Sequence, residues 1–313
     1  MDEQIFEKVI AQMKAYSVET HLGESFAELT TLGVGGTITI TIYPNTVRKV
    51  VKAVRLLSKL KVKFYVLGKG SNVLAADDCF DGVVIVTTKL AHVRIRGVVA
   101  RVLAGTSTLA LYKQLESHGL SGGEFLSCLP ATVGGATVTN AGCYKQDVKS
   151  VLRSVTVLYN GRVKRLSAKK CHLTKRNSLF KQNAGYTLLS VRLKFSQLTV
   201  EQVRAKSRQM RKLKADTQPL NYRSAGCALY HDSVSISRLT DQAGLKGYTV
   251  GGAQVSTKHA GFILNVDKAS AKDIYLTIQH VERELWERYG IVAKREICLV
   301  NFTKENGNLL EKR

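Results

Sequence analysis

The chain has 313 residues, 44% of them hydrophobic and 23% charged, which is the composition of an ordinary globular protein with a large core. No apolar run reaches the ~18 residues that a membrane-spanning helix needs. The acidic, amphipathic start "MDEQIFEKVIAQMKAY" does not resemble a secretory signal. We therefore expect a cytoplasmic protein, with no membrane partner, built from more than one domain.

The charge is strongly positive: 47 Lys and Arg stand against 24 Asp and Glu, for a net charge of +23. Such a balance is found in nucleic-acid binders, but it also attracts small anionic substrates or simply keeps a surface soluble. The basic residues are spread over several segments, with the densest run, "VRAKSRQMRKLK" (203–214), on the exposed side of a predicted helix. We expect no nucleic-acid partner, although this alternative stays open.

The cysteines are scattered, without a CxxC pair or a histidine at zinc-finger spacing, so no metal site and no disulfide is expected. Most of them are interpreted as buried or incidental thiols, with Cys227 as the exception. The six positions are Cys79, Cys128, Cys143, Cys171, Cys227 and Cys298.

The first half of the chain reads as alternating strands and helices. "TITITIY" (37–43) alternates strictly and predicts a strand. The next segment, 45–60, has valines and leucines at helical spacing behind an Asn45–Thr46 cap. "VKFYVLG" (62–68) predicts a strand that ends in the glycine-rich turn "GKGSN". The segments between 82 and 119 predict further strands and then a helix.

A second group of strands follows. "SVTVLYNGRVKRLS" (154–167) predicts a hairpin around Asn160–Gly161, and "YTLLSVRLKF" (186–195) predicts another strand. Thr199 and Gln202 form a candidate capping box for the basic helix, which must end before Pro219. Segment 269–290 predicts the last helix, 296–302 a final strand and 303–313 a loose tail. The chain is thus predicted to be α+β, with a C-terminal part from about 203.

Three glycine-rich turns stand out: "TTLGVGGT" (30–37), "LGKGSN" (67–72) and "LPATVGGATVTNAG" (129–142). None matches a Walker loop or a GxGxxG that follows a strand and opens a helix. Three such turns together predict a backbone cradle for a diphosphate. Segment 128–143 has no charged side chain, and we interpret its small residues as room for a dinucleotide beside its amides.

These motifs resemble the UDP-N-acetylenolpyruvoylglucosamine reductase (MurB) family in type and order from about residue 20 to 302. The shared pieces include "LGKGSNVL", "KRNSLFK", "SAGCALY", "EICLV" and, as the most specific, "GGAQVSTKHAGFILN" (251–265). The length is similar to the short form of the family, which lacks an extra loop.

The resemblance implies an FAD-binding module of the vanillyl-alcohol-oxidase type at 1–202, with subdomains at about 1–65 and 66–202, and a substrate domain at 203–302. It implies reduction of FAD by NADPH, and then reduction of UDP-N-acetylglucosamine enolpyruvate to UDP-N-acetylmuramate for peptidoglycan. A monomer is expected. The cofactor residues that the resemblance and the glycine turns together suggest are Gly35, Gly36, Gly68, Lys69, Gly70, Ser71, Asn72, Pro130, Thr132, Val133, Gly134, Gly135, Asn140, Ala141 and Gly142.

By the same resemblance Arg176 and Glu296 would stabilise the enolate, and Cys227 would donate the proton, as a serine does in the family. Each of the three residues also has an ordinary interpretation. Arg176 could be a surface arginine, Cys227 a buried small residue, and Glu296 the partner of Arg295 or Lys294 in a salt bridge.

The substrate residues suggested are Tyr230, His231, Gln254, Lys258 and His259, although His259 could equally be a core histidine. The family's "FKNP" is replaced here by Leu229 to Asp232, which leaves open another substrate for the same fold. Ala131 also replaces a family glycine, and Lys175 replaces a tyrosine.

Overall fold

The computed structural model describes residues 1–303, so the predicted tail 303–313 lies outside them except for Thr303. The helices are α1 Glu3–Ala15, α2 Phe26–Leu29, α3 Val47–Lys59, α4 Thr108–Ser117, α5 Val133–Val138, α6 Val148–Val151, α7 Leu179–Gln182, α8 Val200–Thr217, α9 Ile236–Gln242 and α10 Ala271–Tyr289. Short 3₁₀ turns lie at Thr87–Lys89, Glu124–Cys128 and Ala168–Cys171.

Strands lie between these helices, singly or in runs, along the described chain. They are β1 Glu19–Leu22, β2 Ile38–Tyr43, β3 Phe64–Leu67, β4 Val73–Ala75, β5 Phe80–Val86, β6 Val93–Arg96, β7 Val99–Leu103, β8 Leu120–Ser121, β9 Gly142–Cys143, β10 Gln146–Asp147, β11 Leu152–Tyr159, β12 Arg162–Ser167, β13 Thr187–Lys194, β14 Ser196–Gln197, β15 Arg223–Cys227, β16 Leu229–Tyr230, β17 Thr249–Val250, β18 Ala253–Val255, β19 Phe262–Asn265, β20 Lys294–Arg295 and β21 Cys298–Val300.

Local signals in the sequence account for most of these boundaries. The Thr46 hydroxyl accepts a hydrogen bond from the Lys49 amide at the start of α3, as its cap position predicts. Thr199 and Gln202 form the predicted capping box before α8, which ends at Thr217. The hairpin β11–β12 turns at Asn160–Gly161, where both residues have the positive φ of a type I′ turn.

The described residues fall into two compact units. The first unit comprises 1–22, 40–69 and 81–214. Its sheets are the antiparallel β12-β11-β13-β7-β6 and the mixed β1-β2-β5-β3, in which β3 and β5 run parallel. One hydrophobic cluster, which includes α3, α4 and the inner faces of these strands, forms its core.

The second unit comprises 23–39, 70–80 and 215–303. It contains the antiparallel sheet β15-β19-β18-β17, the pair β16-β20 and the parallel pair β21-β4. The buried face of α10, with Ile274, Ile278, Val281 and Leu285, belongs to its core, as the helical spacing predicts. Segments 23–39 and 70–80, which were predicted within 1–202, are therefore part of this unit, and the functions assigned to the two parts stay predictions.

Candidate functional site

The turn after β3 has backbone amides that no group in residues 1–303 accepts from. Gly70 has a left-handed φ of +62°, and a Cβ there would lie 2.3 Å from the Leu29 carbonyl oxygen, so only glycine fits. The amides of Lys69, Gly70 and Ser71 donate no hydrogen bond to any group of residues 1–303. Successive unused amides are the donor set that an anionic diphosphate needs.

The segment 129–142 uses its amides differently. Val133 and Gly134 donate to the carbonyl oxygens of Thr106 (2.8 Å) and Ala104 (2.7 Å). A Cβ at Gly134 would lie 2.8 Å from the Ala104 Cβ. Thr132 caps α5 by accepting the Gly135 amide at 3.2 Å. Close packing of backbone on backbone accounts for these small residues without a ligand, and their contact with a dinucleotide stays a prediction.

The glycines of the first turn are also in close backbone contact. Gly35 has φ +113°, and a Cβ on it would lie 2.7 Å from the Phe26 Cβ. A Cβ on Gly36 would lie 2.2 Å from the Asp77 carbonyl oxygen, while the Gly36 amide donates to Ala76. Both glycines thus hold segments 23–39 and 70–80 together, which is a structural reason for their presence.

Asn140 is fully buried and has every polar group of its side chain satisfied. Its Nδ2 donates to Asp147 Oδ2 and to the Thr174 carbonyl, both at 2.9 Å. Its Oδ1 accepts the Lys149 amide at 2.9 Å. Ala141 donates its amide to Ala136, whereas Pro130 is exposed. Asn140 therefore organises the end of this segment rather than offering a free group to a ligand.

Arg176 lies in a tight turn that contacts the same segment. Thr174 and Asn177 exchange backbone hydrogen bonds across the turn, and Arg176 has the left-handed φ of +54°. Its guanidinium donates to the Gly142 carbonyl at 2.8 Å, and its own carbonyl accepts from Lys181 Nζ. Strained backbone at a non-glycine residue often marks a functional position, and here it orients a cation.

Cys227 lies at the end of a bulged strand in the second unit. β15 pairs with β19, with Cys227 opposite Phe262 and a register shift after Ser224. Gly226, within the bulge, has φ +77°, and a Cβ there would meet no atom within 4 Å. The bulge thus leaves open space at Gly226, the residue that precedes Cys227, and bulges of this kind often redirect a side chain at a functional position.

His259 lies beside Cys227, which the sequence did not predict. A Cβ added to Gly261 would lie 3.2 Å from Cys227 Sγ and 3.1 Å from His259 Cε1, so both side chains crowd this glycine. Burial, aided by the charge of Lys246, lowers the pKa of His259 although a backbone hydrogen bond opposes it, so the neutral imidazole is favoured.

The backbone of Glu296 is held by hydrogen bonds next to Ala228, which follows Cys227 in the chain. Its amide donates to the carbonyl of Ala228 at 2.8 Å. Asn72 donates from Nδ2 to the Glu296 carbonyl at 3.1 Å, and its own carbonyl accepts the Cys298 amide at 3.0 Å. Asn72, which we predicted as a cofactor residue, therefore positions the backbone on both sides of Ile297.

The two cations predicted as alternative partners of Glu296 pair with other carboxylates. Arg295 makes a bidentate salt bridge to Glu282 of α10, and its guanidinium lies over the ring of Tyr275. Burial opposes the charged form of Arg295, but the hydrogen bonds and charge of Glu282 outweigh it and raise the arginine pKa. Lys294 pairs with Asp232 at 2.5 Å.

The altered loop after Cys227 faces β20. In the pair β16–β20 Tyr230 lies opposite Lys294. Burial raises the pKa of Tyr230, Lys294 opposes that change, and the charges of Asp232 and Glu296 add to it. His231 accepts the Ser233 amide on Nδ1. The structure therefore brings Tyr230 within electrostatic reach of Glu296.

Gln254 and Lys258 line a cavity of about 250 Å³ in the second unit. Its other walls come from 215–222, 256–257 and 264. Lys258 Nζ donates to the Ala215 carbonyl at 2.7 Å, and Gln254 donates to Thr249 Oγ1. The cavity is a little smaller than the ~300–1,000 Å³ of most small-molecule pockets, and these polar groups lie at its walls.

Comparisons with known protein families first identify the general class of the protein. A model described as an FAD binding domain matches residues 38–167, and the C-terminal domain of UDP-N-acetylenolpyruvoylglucosamine reductase matches 218–300. The protein is an FAD-dependent oxidoreductase, with an FAD-binding domain and a second, C-terminal domain as the sequence predicted. The unused amides of the 67–72 turn fit the diphosphate of that cofactor.

The particular family follows from whole-chain similarity. The UDP-N-acetylenolpyruvoylglucosamine reductase of Halalkalibacterium halodurans is 31% identical over 298 residues, covering 94% of this chain and 99% of that protein. The one from Bacillus subtilis is 32% identical over 298 residues, covering 94% and 98%. The crystal structure of the Thermus caldophilus enzyme is 30% identical and covers 90% of this chain and 98% of that one, with a TM-score of 0.77. The chain belongs to this family.

Proposed function

We propose that the protein reduces UDP-N-acetylglucosamine enolpyruvate to UDP-N-acetylmuramate, with NADPH as electron donor. Family membership supports the reaction, and one observation carries the assignment of residues: the Glu296 amide bonds to Ala228, the neighbour of Cys227. Two chain segments that are distant in sequence, one with Cys227 and one with Glu296, thus lie side by side. When bound, FAD supplies the hydride that adds to the enolpyruvyl double bond.

In this proposal Cys227 holds the proton that is delivered to the substrate carbon next to the carboxylate. An ordinary thiol, with a pKa of about 8.5, is mostly protonated at neutral pH and is still a far stronger acid than serine. A cation beside it would favour the thiolate. The neutral imidazole of His259 avoids that effect, which is what a proton donor requires.

Arg176 and Glu296 are proposed to stabilise the enolate that develops during hydride addition. Arg176 supplies fixed positive charge, because its hydrogen bond to the Gly142 carbonyl holds the guanidinium in one orientation. The carbonyl of Glu296 accepts from Asn72 and its amide donates to Ala228, which fixes the start of the last strand. Preorganised groups of this kind need no rearrangement as charge develops.

Tyr230, His231, Gln254, Lys258 and His259 are proposed to bind the UDP-sugar. The cavity beside Gln254 and Lys258 supports this, and the net charge of +23 favours anionic ligands. Tyr230 stands where the family has a lysine. Lys294 lies opposite Tyr230 in the strand pair, so an ammonium group is still present at this loop. We further propose a cytoplasmic monomer with no nucleic-acid partner; no helix in residues 1–303 is long and apolar enough to span a membrane.

The test is anaerobic visible spectroscopy with NADPH, followed by the enolpyruvyl UDP-sugar. We expect the flavin to bleach and then to recover its colour with the sugar. The Cys227→Ala variant should bleach normally, but its reoxidation should slow by about 10²–10⁴-fold, whereas Cys227→Ser should retain most activity. Normal turnover by Cys227→Ala would refute the proton-donor role. A wild-type flavin that stays reduced with this sugar would instead favour another substrate for the same fold.

A further inference from the structure

One side of the sheet β12-β11-β13-β7-β6, in the first unit, carries a row of arginines. Arg94 of β6 lies opposite Arg101 of β7, and Arg101 lies opposite Arg192 of β13. Residues directly opposite each other on neighbouring strands point to the same side of a sheet. All three side chains are exposed, so the row crosses three adjacent strands on the solvent side.

Two more cations lie in the next row of this side. Arg96 and Lys194 are both opposite Val99, and both are exposed. The alternate residues of these strands, among them Ala100 and Val191, are buried in the core. We call the group of exposed cations the basic face: Arg94, Arg96, Arg101, Arg192 and Lys194.

No acidic side chain pairs with the basic face within the described residues. Segments 82–115 and 148–200, which contain all five strands of this sheet, have no aspartate or glutamate. None of the five cations takes part in a salt bridge within residues 1–303. Their charge is therefore available to a negatively charged partner.

Protection of the sheet edge explains only part of this pattern. β6 is an edge strand, where charged side chains discourage pairing with another chain. β7 and β13 are internal strands, so Arg101 and Arg192 have no edge to protect. Like charges directly opposite each other destabilise a sheet. A row of arginines that the fold does not need indicates a binding role.

We propose that the basic face docks the protein on the surface of an anionic lipid bilayer. Each Lys or Arg near such a surface strengthens binding about fivefold, and the headgroups form an extended layer of negative charge. Arginine suits this layer because its planar guanidinium binds two phosphate oxygens at once. The sequence predicted no membrane partner because no apolar run could span a bilayer, and contact through surface charge needs no such run.

The dimensions and composition of the sheet favour a bilayer over a nucleic acid. Five strands about 4.8 Å apart make a surface about 19 Å wide, whereas the major groove of duplex DNA is about 12 Å wide. β6, β7 and β13 have no aromatic residue on which an unpaired base could stack. A layer of headgroups can meet all five cations at once.

The experiment is cosedimentation of the full-length, FAD-loaded protein with lipid vesicles. One set of vesicles contains equal parts of phosphatidylglycerol and phosphatidylcholine, and the other contains phosphatidylcholine alone. We expect binding to the first set only. Binding should weaken as salt is raised from about 0.1 M to about 1 M, because the Debye length falls from about 10 Å to about 3 Å. Equal binding to both sets would overturn the proposal.

Two double variants separate the basic face from the general charge of the protein. Arg101→Thr with Arg192→Thr should weaken vesicle binding about 30-fold, or about fivefold for each charge lost. Arg208→Gln with Lys212→Gln removes as much charge from α8, the densest basic run, and should leave binding nearly unchanged. Threonine suits strands and glutamine suits helices, and all four positions are exposed. Equal losses in the two variants would mean that net charge alone attracts the vesicle, which would overturn the proposal.

A conservative variant tests whether charge is the cause. Arg101→Lys with Arg192→Lys keeps both charges and should retain most of the binding. A loss as large as with threonine would contradict docking through charge. Thermal unfolding checks the fold, and the threonine variant should unfold at the same temperature or higher, because like charges no longer face each other.

Two further results would assign the basic face to another ligand and overturn the proposal. One is displacement of the protein from the vesicles by duplex DNA at equal phosphate concentration. The other is a threonine variant that binds vesicles normally but whose flavin is reduced more slowly by NADPH. Vesicle binding needs no UDP-sugar, so its failure can be distinguished from failure of the proposed reductase activity.

Discussion

The turn 67–72 and the segment 129–142 have similar glycine-rich sequences but use their backbones differently. In the turn, the amides of Lys69, Gly70 and Ser71 bond to nothing in residues 1–303. In the segment, the amides of Val133 and Gly134 are taken up by neighbouring carbonyls. Small residues therefore mark a close approach to the backbone, but they do not tell whether the approaching group is a ligand or the protein itself.

The largest effect should come from adding bulk to the segment. Gly134→Val places a side chain where Ala104 Cβ and its carbonyl oxygen already lie within 2.9 Å of the Cβ position. Overpacking against backbone should lower the free energy of unfolding by about 1–3 kcal/mol, measured by urea denaturation. Gly135→Ala is the control, because its nearest neighbour is Thr132 Oγ1 at 3.3 Å. Equal losses in both variants would contradict the packing explanation.

The second effect concerns the turn. Lys69→Pro removes one unused amide, so the dissociation constant of FAD should rise about tenfold, as expected for loss of ~1.4 kcal/mol, measured by fluorescence titration. Lys69→Ala keeps the amide and removes the side chain, and it should weaken binding less. The apo protein should unfold at nearly the same temperature in both cases. A large fall in apo stability for Lys69→Pro would mean that the amide serves the fold.

Thr132→Val tests the cap at the start of α5. Thr132 Oγ1 accepts the Gly135 amide, so the variant should lose about 1 kcal/mol of unfolding free energy. Thr132→Ser keeps the acceptor and should lose much less. The measurement is again urea denaturation of the apo protein. If valine and serine behave alike, the cap has no role in the stability of this segment.

The smallest effect is expected from Asn72, where the turn meets the strand of Glu296. Asn72→Ala removes the donor to the Glu296 carbonyl and should cost about 0.5 kcal/mol of stability, the low end for a neutral hydrogen bond. It should also slow flavin reoxidation by the sugar without slowing reduction by NADPH. Asn265→Ala loses a similar bond, to the Leu32 carbonyl at 3.0 Å, and should leave reoxidation unchanged. If reoxidation is slower in Asn265→Ala as well, Asn72 has only a general structural role.

Much of the fold could be predicted from local patterns. The Thr46 cap, the Asn160–Gly161 turn and the Thr199–Gln202 capping box are confirmed, because each depends only on residues close in sequence. Segments 23–39 and 70–80 could not be assigned to the unit of the C-terminal residues. Their strands and turns are short, and only long-range pairs such as β21 with β4 place them there.

In the candidate site, too, some features could be predicted from local motifs and others could not. Cys227 and Glu296 could be singled out by the motifs around them, and their catalytic roles stay predictions. The placement of His259 beside Cys227 depends on the pairing of β15 with β19 around Gly261, which no local pattern encodes.

The sequence by itself determined the long helices, the hairpin, the glycine-rich turns and the family resemblance, because caps, periodicity and motifs act over a few residues. Only the tertiary structure decided which glycine amides remain unused and which carboxylates Arg295 and Lys294 pair with. These outcomes depend on strand register and on packing between distant segments, where a shift of one residue exchanges every neighbour.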